Sequence, residues 1–152
     1  MTSATTTPNG SLGHVGRGSI TADPQVPGGC SSTFHIEGNV DDLPSADRTL
    51  WVIKLNDANP DQGDPNPLHF PKSRIDRRTG QFSLDVPSST PAGYQSTGKY
   101  LLAVANQAAD EELQSSYESD VSKDKSYADG KRVHLPAGAD AIAMSNTVEQ
   151  HC

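Results

Sequence analysis

Two apolar runs constrain what this chain can fold into. Residues 48–56 read RTLWVIKLN and hold the only tryptophan, Trp51, and residues 99–106 read KYLLAVAN. In both runs the two alternating faces are apolar, which is typical of a strand that is covered on both sides. Turn-forming residues flank each run. We therefore expect the two runs to be the central strands of one β-domain.

The composition favours short strands connected by many turns. The 152 residues include 13 glycines and 11 prolines, and only 33% are hydrophobic. Such a chain is better suited to an all-β domain than to a helical bundle. We predict an immunoglobulin-like antiparallel β-sandwich of about seven strands with one short helix. Residues 1–18 are predicted to be a disordered tail or linker, and residues 19–152 the sandwich domain.

Alternation of apolar and polar residues predicts the other strands. These predicted strands cover residues 18–22, 33–40, 72–76, 81–86, 131–135 and 140–148. The fourth of them follows RRTG closely, so we expect residues 72–76 and 81–86 to form a hairpin with Gly80 at positive φ. Gly38 is interpreted as a bulge. Ile142, Met144 and Val148 are predicted to point the same way.

A helix is predicted over residues 107–118. Asn106 can cap it, and Ala109, Leu113 and Tyr117 form a stripe that could lie across the sheet. The predicted structural core consists of Phe34, Ile36, Trp51, Ile53, Leu102 and Val104. We expect Trp51 to be the packing centre between the sheet layers.

The two cysteines, Cys30 and Cys152, bracket the predicted domain. We expect a disulfide between them, which the chain-entropy argument values at roughly 4–5 kcal/mol. A disulfide requires an oxidising compartment, and in a reducing cytosol the two thiols would stay unpaired. A zinc site that combines the cysteines with His35 and His151 is a weaker alternative, because the close spacings of zinc motifs are absent.

Charge and hydropathy exclude several classes of partner. The net charge of −7 argues against nucleic acid and against an anionic membrane surface, since both need a basic face. No run approaches the roughly 18 apolar residues that span a bilayer, so we expect no membrane insertion by this chain itself. The N-terminal residues lack the charged start and apolar stretch of a secretory signal, which leaves a cytoplasmic location open.

Several segments together resemble a small β-sandwich domain that recurs in actinobacterial proteins. In order they read CSSTFHIEGNVDDLP, LWVIKL, GQFSLDV, GKYLLAVAN with AADEEL, and LPAGADAIAMSNTV. The matching residues are Cys30, Phe34, Gly38, Val40, Leu43, Pro44, Leu50, Trp51, Gly80, Phe82, Leu135, Pro136 and Gly138. The resemblance implies an extracytoplasmic domain, usually behind a membrane helix and largely of uncharacterised function. This chain departs from that pattern, because it has no membrane helix and a longer acidic loop after Leu55. The matches are scaffold positions and imply a fold, not an activity.

Two segments resemble ligand-binding motifs. Residues 93–100, GYQSTGKY, approach a phosphate-binding loop, but Tyr100 replaces the hydroxyl residue and the following residues indicate a strand instead of the required helix. Oxygen ligands that could begin a calcium loop occur at Asp57, Asn59, Asp61 and Asp64. The glycine and the final glutamate of an EF-hand are not at their positions, so a solvated acidic loop is the stronger interpretation.

No catalytic constellation is present, so we do not expect an enzyme. Neighbouring acidic pairs such as Asp41–Asp42 diverge in direction, and no GxSxG motif occurs. We expect a non-catalytic binding or structural module without a cofactor, extracytoplasmic or part of a larger assembly. Its protein partner would be recognised by the polar loops at residues 56–67, 87–98 and 120–130. The alternatives are a calcium-dependent carbohydrate or cell-surface binding domain and an enzyme with an unrecognised site.

Overall fold

The structure, a computed structural model, describes residues 16–24, 31–42, 47–63, 65–75, 80–89, 93, 95–122 and 133–151. The elements are β1 (Arg17–Pro24), β2 (Ser31–Asp42), β3 (Thr49–Asn56), β4 (Leu68–Ile75), β5 (Gly80–Ser89), β6 (Gln95–Ala105), α1 (Gln107–Ser122), β7 (Ala139–Met144) and β8 (Val148–His151). A 3₁₀ turn, Pro60–Gln62, lies between β3 and β4. These elements confirm the predicted all-β, sandwich-like fold with one helix.

The strands form two antiparallel sheets. The first sheet has three strands in the order β1-β2-β5. The second sheet has five strands, with the order β4-β3-β6-β7, and β8 pairs with β6 beyond the end of β7. The predicted central strands are β3 and β6, which pair along their length from Thr49–Ala105 to Asn56–Gly98.

The second sheet is covered on both faces, as the two apolar runs predict. One face, with Leu50 and Val52 of β3, packs against the first sheet in what we call the intersheet core. The other face, with Trp51 and Ile53, packs against α1 in what we call the helix core. All six predicted core residues have 0% exposure. Trp51 lies under the helix and not between the two sheets, so its predicted layer is wrong.

Helix α1 begins where the sequence indicates and continues to Ser122. The Oδ1 of Asn106 accepts a hydrogen bond of 2.9 Å from the N–H of Ala109, which is the predicted N-cap. Ala109 and Leu113 are fully buried in the helix core, and Tyr117 packs against them. Because the apolar stripe is narrow, the other faces of the helix stay polar.

The predicted hairpin of residues 72–76 and 81–86 is wrong. β4 pairs with β3 in the second sheet, whereas β5 pairs with β2 in the first. The chain therefore crosses from one sheet to the other between Ile75 and Gly80. Gly80 does have a positive φ of 83°, which only glycine adopts without strain.

Strand 140–148 is interrupted, and this changes where Met144 points. β7 and β8 are separated by residues 145–147, and a register shift lies opposite Leu102 and Ala103. Ile142 and Val148 face the intersheet core, but Met144 is 61% exposed. A bulge adds one residue and reverses the alternation beyond it, so the prediction for Met144 is wrong.

Three further predictions need correction. Val133 and His134 form a bend and not a strand, so the predicted strand 131–135 is wrong over its described residues. The bulge near β2 lies opposite the Arg17–Gly18 step, whereas Gly38 pairs regularly and leaves room for Ser19 and the ring of Phe82. β1 begins within the predicted tail of residues 1–18, whose first fifteen residues lie outside the described part.

Candidate functional site

The side of the sandwich between β4 and β5 holds a groove of about 880 Å³. It is lined by Ser19, Thr21, Glu37, Gly38, Asn39, Ser73, Arg74, Ile75, Gln81, Phe82, Ser83 and Leu84. Most of these side chains are polar. Consecutive residues of both strands line it, Ser73 to Ile75 of β4 and Gln81 to Leu84 of β5.

The groove exists because β4 and β5 belong to different sheets. Each lies at the end of its sheet's strand order, so each has a paired edge and an unpaired edge among the described strands. Had these segments formed the predicted hairpin, their backbones would pair with one another and close this side.

The opposite side of the sandwich is closed by a side chain. The Nδ2 of Asn146 donates to the carbonyl oxygen of Ala22 on β1 at 2.9 Å, and its Oδ1 accepts from the Ala22 N–H at 3.0 Å. Asn146 occupies the break between β7 and β8. Next to it, the Ser145 N–H donates to the Tyr100 carbonyl oxygen, and the Ser145 hydroxyl accepts from the Tyr100 N–H in place of a strand carbonyl. The break that disturbs the predicted closing strand thus joins the two sheets.

The polar floor of the groove is the outer face of the first sheet. Period-two alternation turns Ile36 and Val40 into the intersheet core and Glu37 and Asn39 outward. The predicted polar face of residues 33–40 is therefore this floor. Asn39 donates its amide to Asp41 on the same face.

His35 lies beside the groove between two carboxylates. Its Nδ1 is 2.9 Å from Asp85 Oδ1, and its Nε2 is 2.8 Å from Glu37 Oε2. The hydrogen bond with Asp85, and then that with Glu37, raises the pKa of His35 above its ordinary value. When His35 is protonated it neutralises one of the two carboxylates, and when it is neutral the cluster carries both negative charges.

The rim of the groove on β4 carries Arg74, which Asp110 of α1 holds in place. Arg74 donates from Nε to Asp110 Oδ1 at 3.1 Å and from Nη2 to Oδ2 at 2.9 Å, and its guanidinium lies over the Trp51 ring. Thr49 Oγ1 and Trp51 Nε1 also donate to Asp110 Oδ1. Burial alone would raise the pKa of Asp110, but these hydrogen bonds and the charge of Arg74 hold it below its ordinary value.

A separate polar group is enclosed in the intersheet core. Lys54 is only 3% exposed, and its Nζ lies 5.7 Å from the Phe34 ring centroid and 5.4 Å from that of Tyr100. Burial, followed by the charge of Lys72, lowers the pKa of Lys54 to about 8. The Tyr100 hydroxyl and Asn56 Oδ1 are buried without a hydrogen-bond partner among the described groups.

Among the described residues, the predicted calcium ligands are not brought together into a site. Asn59 donates its amide to the Gln95 carbonyl at 3.0 Å, and Asp57 and Asp61 are exposed. Asp64 lies outside the described residues. In the part of the chain that the structure describes, no three His, Cys, Asp or Glu side chains are arranged to hold a metal ion. Calcium binding stays a hypothesis, which calorimetric titration with millimolar calcium would test.

Both cysteines, Cys30 and Cys152, lie outside the described residues, so the disulfide stays a prediction. The two histidines of the zinc alternative are on different sheets, His35 on β2 and His151 on β8. His151 Nε2 is 3.1 Å from Glu149 Oε1, and His35 contacts its own carboxylates. These contacts place both ring nitrogens of His35 and the Nε2 of His151 against carboxylates, and the zinc alternative stays untested.

The predicted recognition loops are shorter than expected. Residues 87–89 belong to β5 and residues 95–98 to β6, and the phosphate-loop pattern therefore ends in a strand. Residues 120–122 belong to α1, and residues 123–130 lie outside the described part. The groove could not be predicted from the sequence, because the alternation of polar residues in β4 and β5 does not indicate that the two strands join different sheets.

In the described ranges, no helix is both long and apolar enough to cross a membrane. Comparisons of the chain with models of protein families, with curated proteins and with solved structures gave no match. The site is therefore interpreted from its own geometry: a polar groove, two unpaired strand edges and an adjacent acidic cluster.

Proposed function

We propose that the chain is a non-catalytic binding module that recognises a protein partner in the groove between β4 and β5. The observation that carries this proposal is the groove itself, about 880 Å³ in volume and lined mainly by polar side chains. Binding sites are usually concave and largely pre-formed. Both walls here are strands of a packed sandwich, so the site needs no folding of its own.

The groove takes over the role that the sequence analysis assigned to the loops. Specific recognition needs polar groups at defined positions, and strands hold such groups more rigidly than loops do. Glu37, Ser83 and Gln81 project from paired strands, and Arg74 is held by Asp110. These groups form a polar surface of fixed shape.

The location and the finer fold are part of the same proposal. We propose an extracytoplasmic domain or a component of a larger assembly, which the expected Cys30–Cys152 bridge and the resemblance to actinobacterial domains support. An immunoglobulin-like arrangement is supported by the strand order, since β4 extends the sheet of β3, β6 and β7 as an added strand does in variable-type domains.

Site-directed photo-crosslinking in the native host tests this function. A photoreactive amino acid replaces Gln81, which is exposed in the groove, and in a matched control replaces Glu111, which is exposed on α1. We expect one protein to be captured from position 81 and not from position 111. Ser83→Trp, which fills the groove, should abolish that capture. Equal capture from both positions, or none from position 81, would contradict the proposal.

A further inference from the structure

The groove offers the backbone of an edge strand to a partner. β5 pairs with β2 along one edge over Ser31–Ser89 to Val40–Gly80, and no other described strand pairs with it. The N–H and C=O groups of alternate residues along the other edge are therefore without a partner among the described strands. Such an edge is a template for a further strand.

The space beside the free edge of β5 is open, whereas the space beside the corresponding edge of β1 is closed. At the β1 side, Asn146 takes up the N–H and the C=O of Ala22 and joins the sheets. At the β5 side, four consecutive residues, Gln81–Leu84, line the groove together with Ser73, Arg74 and Ile75 of β4. Paired strands lie about 4.8 Å apart, so a strand added to β5 would lie at that distance from it, on the side where β4 lines the groove.

The charges beside the β5 edge favour a basic partner. Glu37 and Asp85 are exposed on the outer face of the first sheet and share His35 between them. Asp23 faces His35 from β1 in the strand register. With three carboxylates around one histidine, the cluster stays negative whether or not His35 is protonated. Arg74, the cationic side chain of the groove lining, is already paired with Asp110. A strand added to β5 would place every second side chain on the same outer face as these carboxylates.

We propose that the groove binds an extended peptide segment with lysine or arginine at alternate positions, which adds to the edge of β5 as a further strand. The inference rests on the proposed function and specifies its partner class. Backbone hydrogen bonds supply the affinity in this mode, and the alternate side chains supply the specificity. The expected partner is therefore an unfolded, basic stretch of another protein and not a folded surface.

Modified peptides test the strand addition directly. The probe is an alternating lysine–threonine octapeptide, compared with two versions that are N-methylated either at every lysine or at every threonine. The N–H groups of alternate residues point to the same edge of a strand, so one version loses every hydrogen bond that it donates to β5 and the other loses none of them. We expect one version to bind at least tenfold more weakly and the other within threefold of the parent. Protection of β5 amides from hydrogen exchange should accompany binding.

Charge is tested separately. A glutamate–threonine octapeptide should not bind, and the double variant Glu37→Gln, Asp85→Asn should weaken binding of the basic probe several-fold. Glu111→Gln on α1, which also removes one negative charge, should have no effect beyond that of net charge.

Each other outcome overturns the inference. Equal binding of the two N-methylated peptides would reduce the effect to charge attraction, and binding of the acidic peptide would remove the basic class. No binding of the parent peptide at millimolar concentration would remove both. Site-specific capture from position 81 would then still support the proposed function, so the two failures are distinguishable.

Discussion

The outer faces of the two sheets differ in a way that separates stability from recognition. On the second sheet, Trp51 and Ile53 face outward from the sandwich and α1 covers them. On the first sheet the corresponding positions carry Thr21, Glu37 and Ser83, which are exposed, and no described element packs on them. Both faces follow the same period-two alternation, so only the side-chain type distinguishes them.

Substitutions on these two faces should differ in their cost to stability. The helix core combines apolar burial with the hydrogen bonds that Asp110 accepts, so a truncation there removes both at once. The outer face of the first sheet contributes exposed polar groups, whose removal usually changes stability little. We therefore expect variants of the covered face to lose stability and variants of the open face to lose only binding.

The largest expected effect is that of Trp51→Ala. The side chain is 0% exposed and donates to Asp110, so its loss leaves a cavity and removes one of the hydrogen bonds that Asp110 accepts. We expect the free energy of unfolding to fall by about 3–5 kcal/mol, measured by urea denaturation. Met144→Ala is the control, because that side chain is 61% exposed and should cost little. A Trp51→Ala protein that stays folded and loses only partner binding would show that this face serves recognition instead of stability.

Asp110→Ala should have the next largest effect. It removes the acceptor for Thr49, Trp51 and Arg74. We expect the free energy of unfolding to fall by about 2–4 kcal/mol. Asp110→Asn, which keeps one acceptor oxygen without the charge, should lose less. Because the pKa of Asp110 is lowered on folding, its contribution is present above the pKa of the unfolded carboxyl and is lost as the pH falls through the folded value. An acid dependence unchanged in Asp110→Asn would contradict this role.

Lys54→Met tests the same principle inside the intersheet core. Methionine has a similar shape to lysine but no charge. The substitution should therefore raise the free energy of unfolding by about 1–3 kcal/mol at neutral pH. The pKa of Lys54 is about 8 in the folded protein and 10.5 in the unfolded chain, so the folded protein releases this proton at a lower pH. Between these values the unfolded state binds more protons, so the stability of the unsubstituted protein should rise with pH relative to Lys54→Met. A constant difference between the two denaturation curves would show that Lys54 does not titrate there.

The smallest effect on stability is expected on the open face at His35. Its pKa should lie above the ordinary histidine value, and Asp85→Asn should lower it more than Glu37→Gln, since Asp85 contributes most. Because the pKa is raised, the stabilising contribution is present below the pKa of the unfolded histidine and is lost as the pH rises through the folded value. An NMR titration of the imidazole measures the shift. An unshifted pKa of His35 would contradict the predicted shift, and a fold disrupted by Asp85→Asn would contradict the view that the outer face of the first sheet contributes little to stability.

Much of the fold could be predicted from local patterns. The alternation around Phe34 and Ile36, the two-sided burial of Trp51 and Leu102, and the Asn106 cap all depend on residues close in sequence. Burial is a property of a strand face, and each face can be recognised from every second residue. The positive φ of Gly80 was predicted correctly, although the turn it serves does not close a hairpin.

The candidate site could not be predicted in the same way. The groove depends on β4 joining β3 and β5 joining β2, and these pairings connect residues far apart in the chain. A strand pattern specifies which side chains share a face but not which strand lies beside it. The reversal at Met144 likewise depends on the register shift opposite Leu102.

Local sequence patterns thus specify the class of the fold, the strands that are covered on both sides and the helix that follows β6, because alternation, capping and apolar stripes act over a few residues. The position of Trp51 under α1, the closure of one side of the sandwich by Asn146, and the open groove on the other side depend on the packing of the whole chain. The physical reason is that strand pairing and layer order are chosen by burial over the whole chain, where several arrangements satisfy the same local pattern.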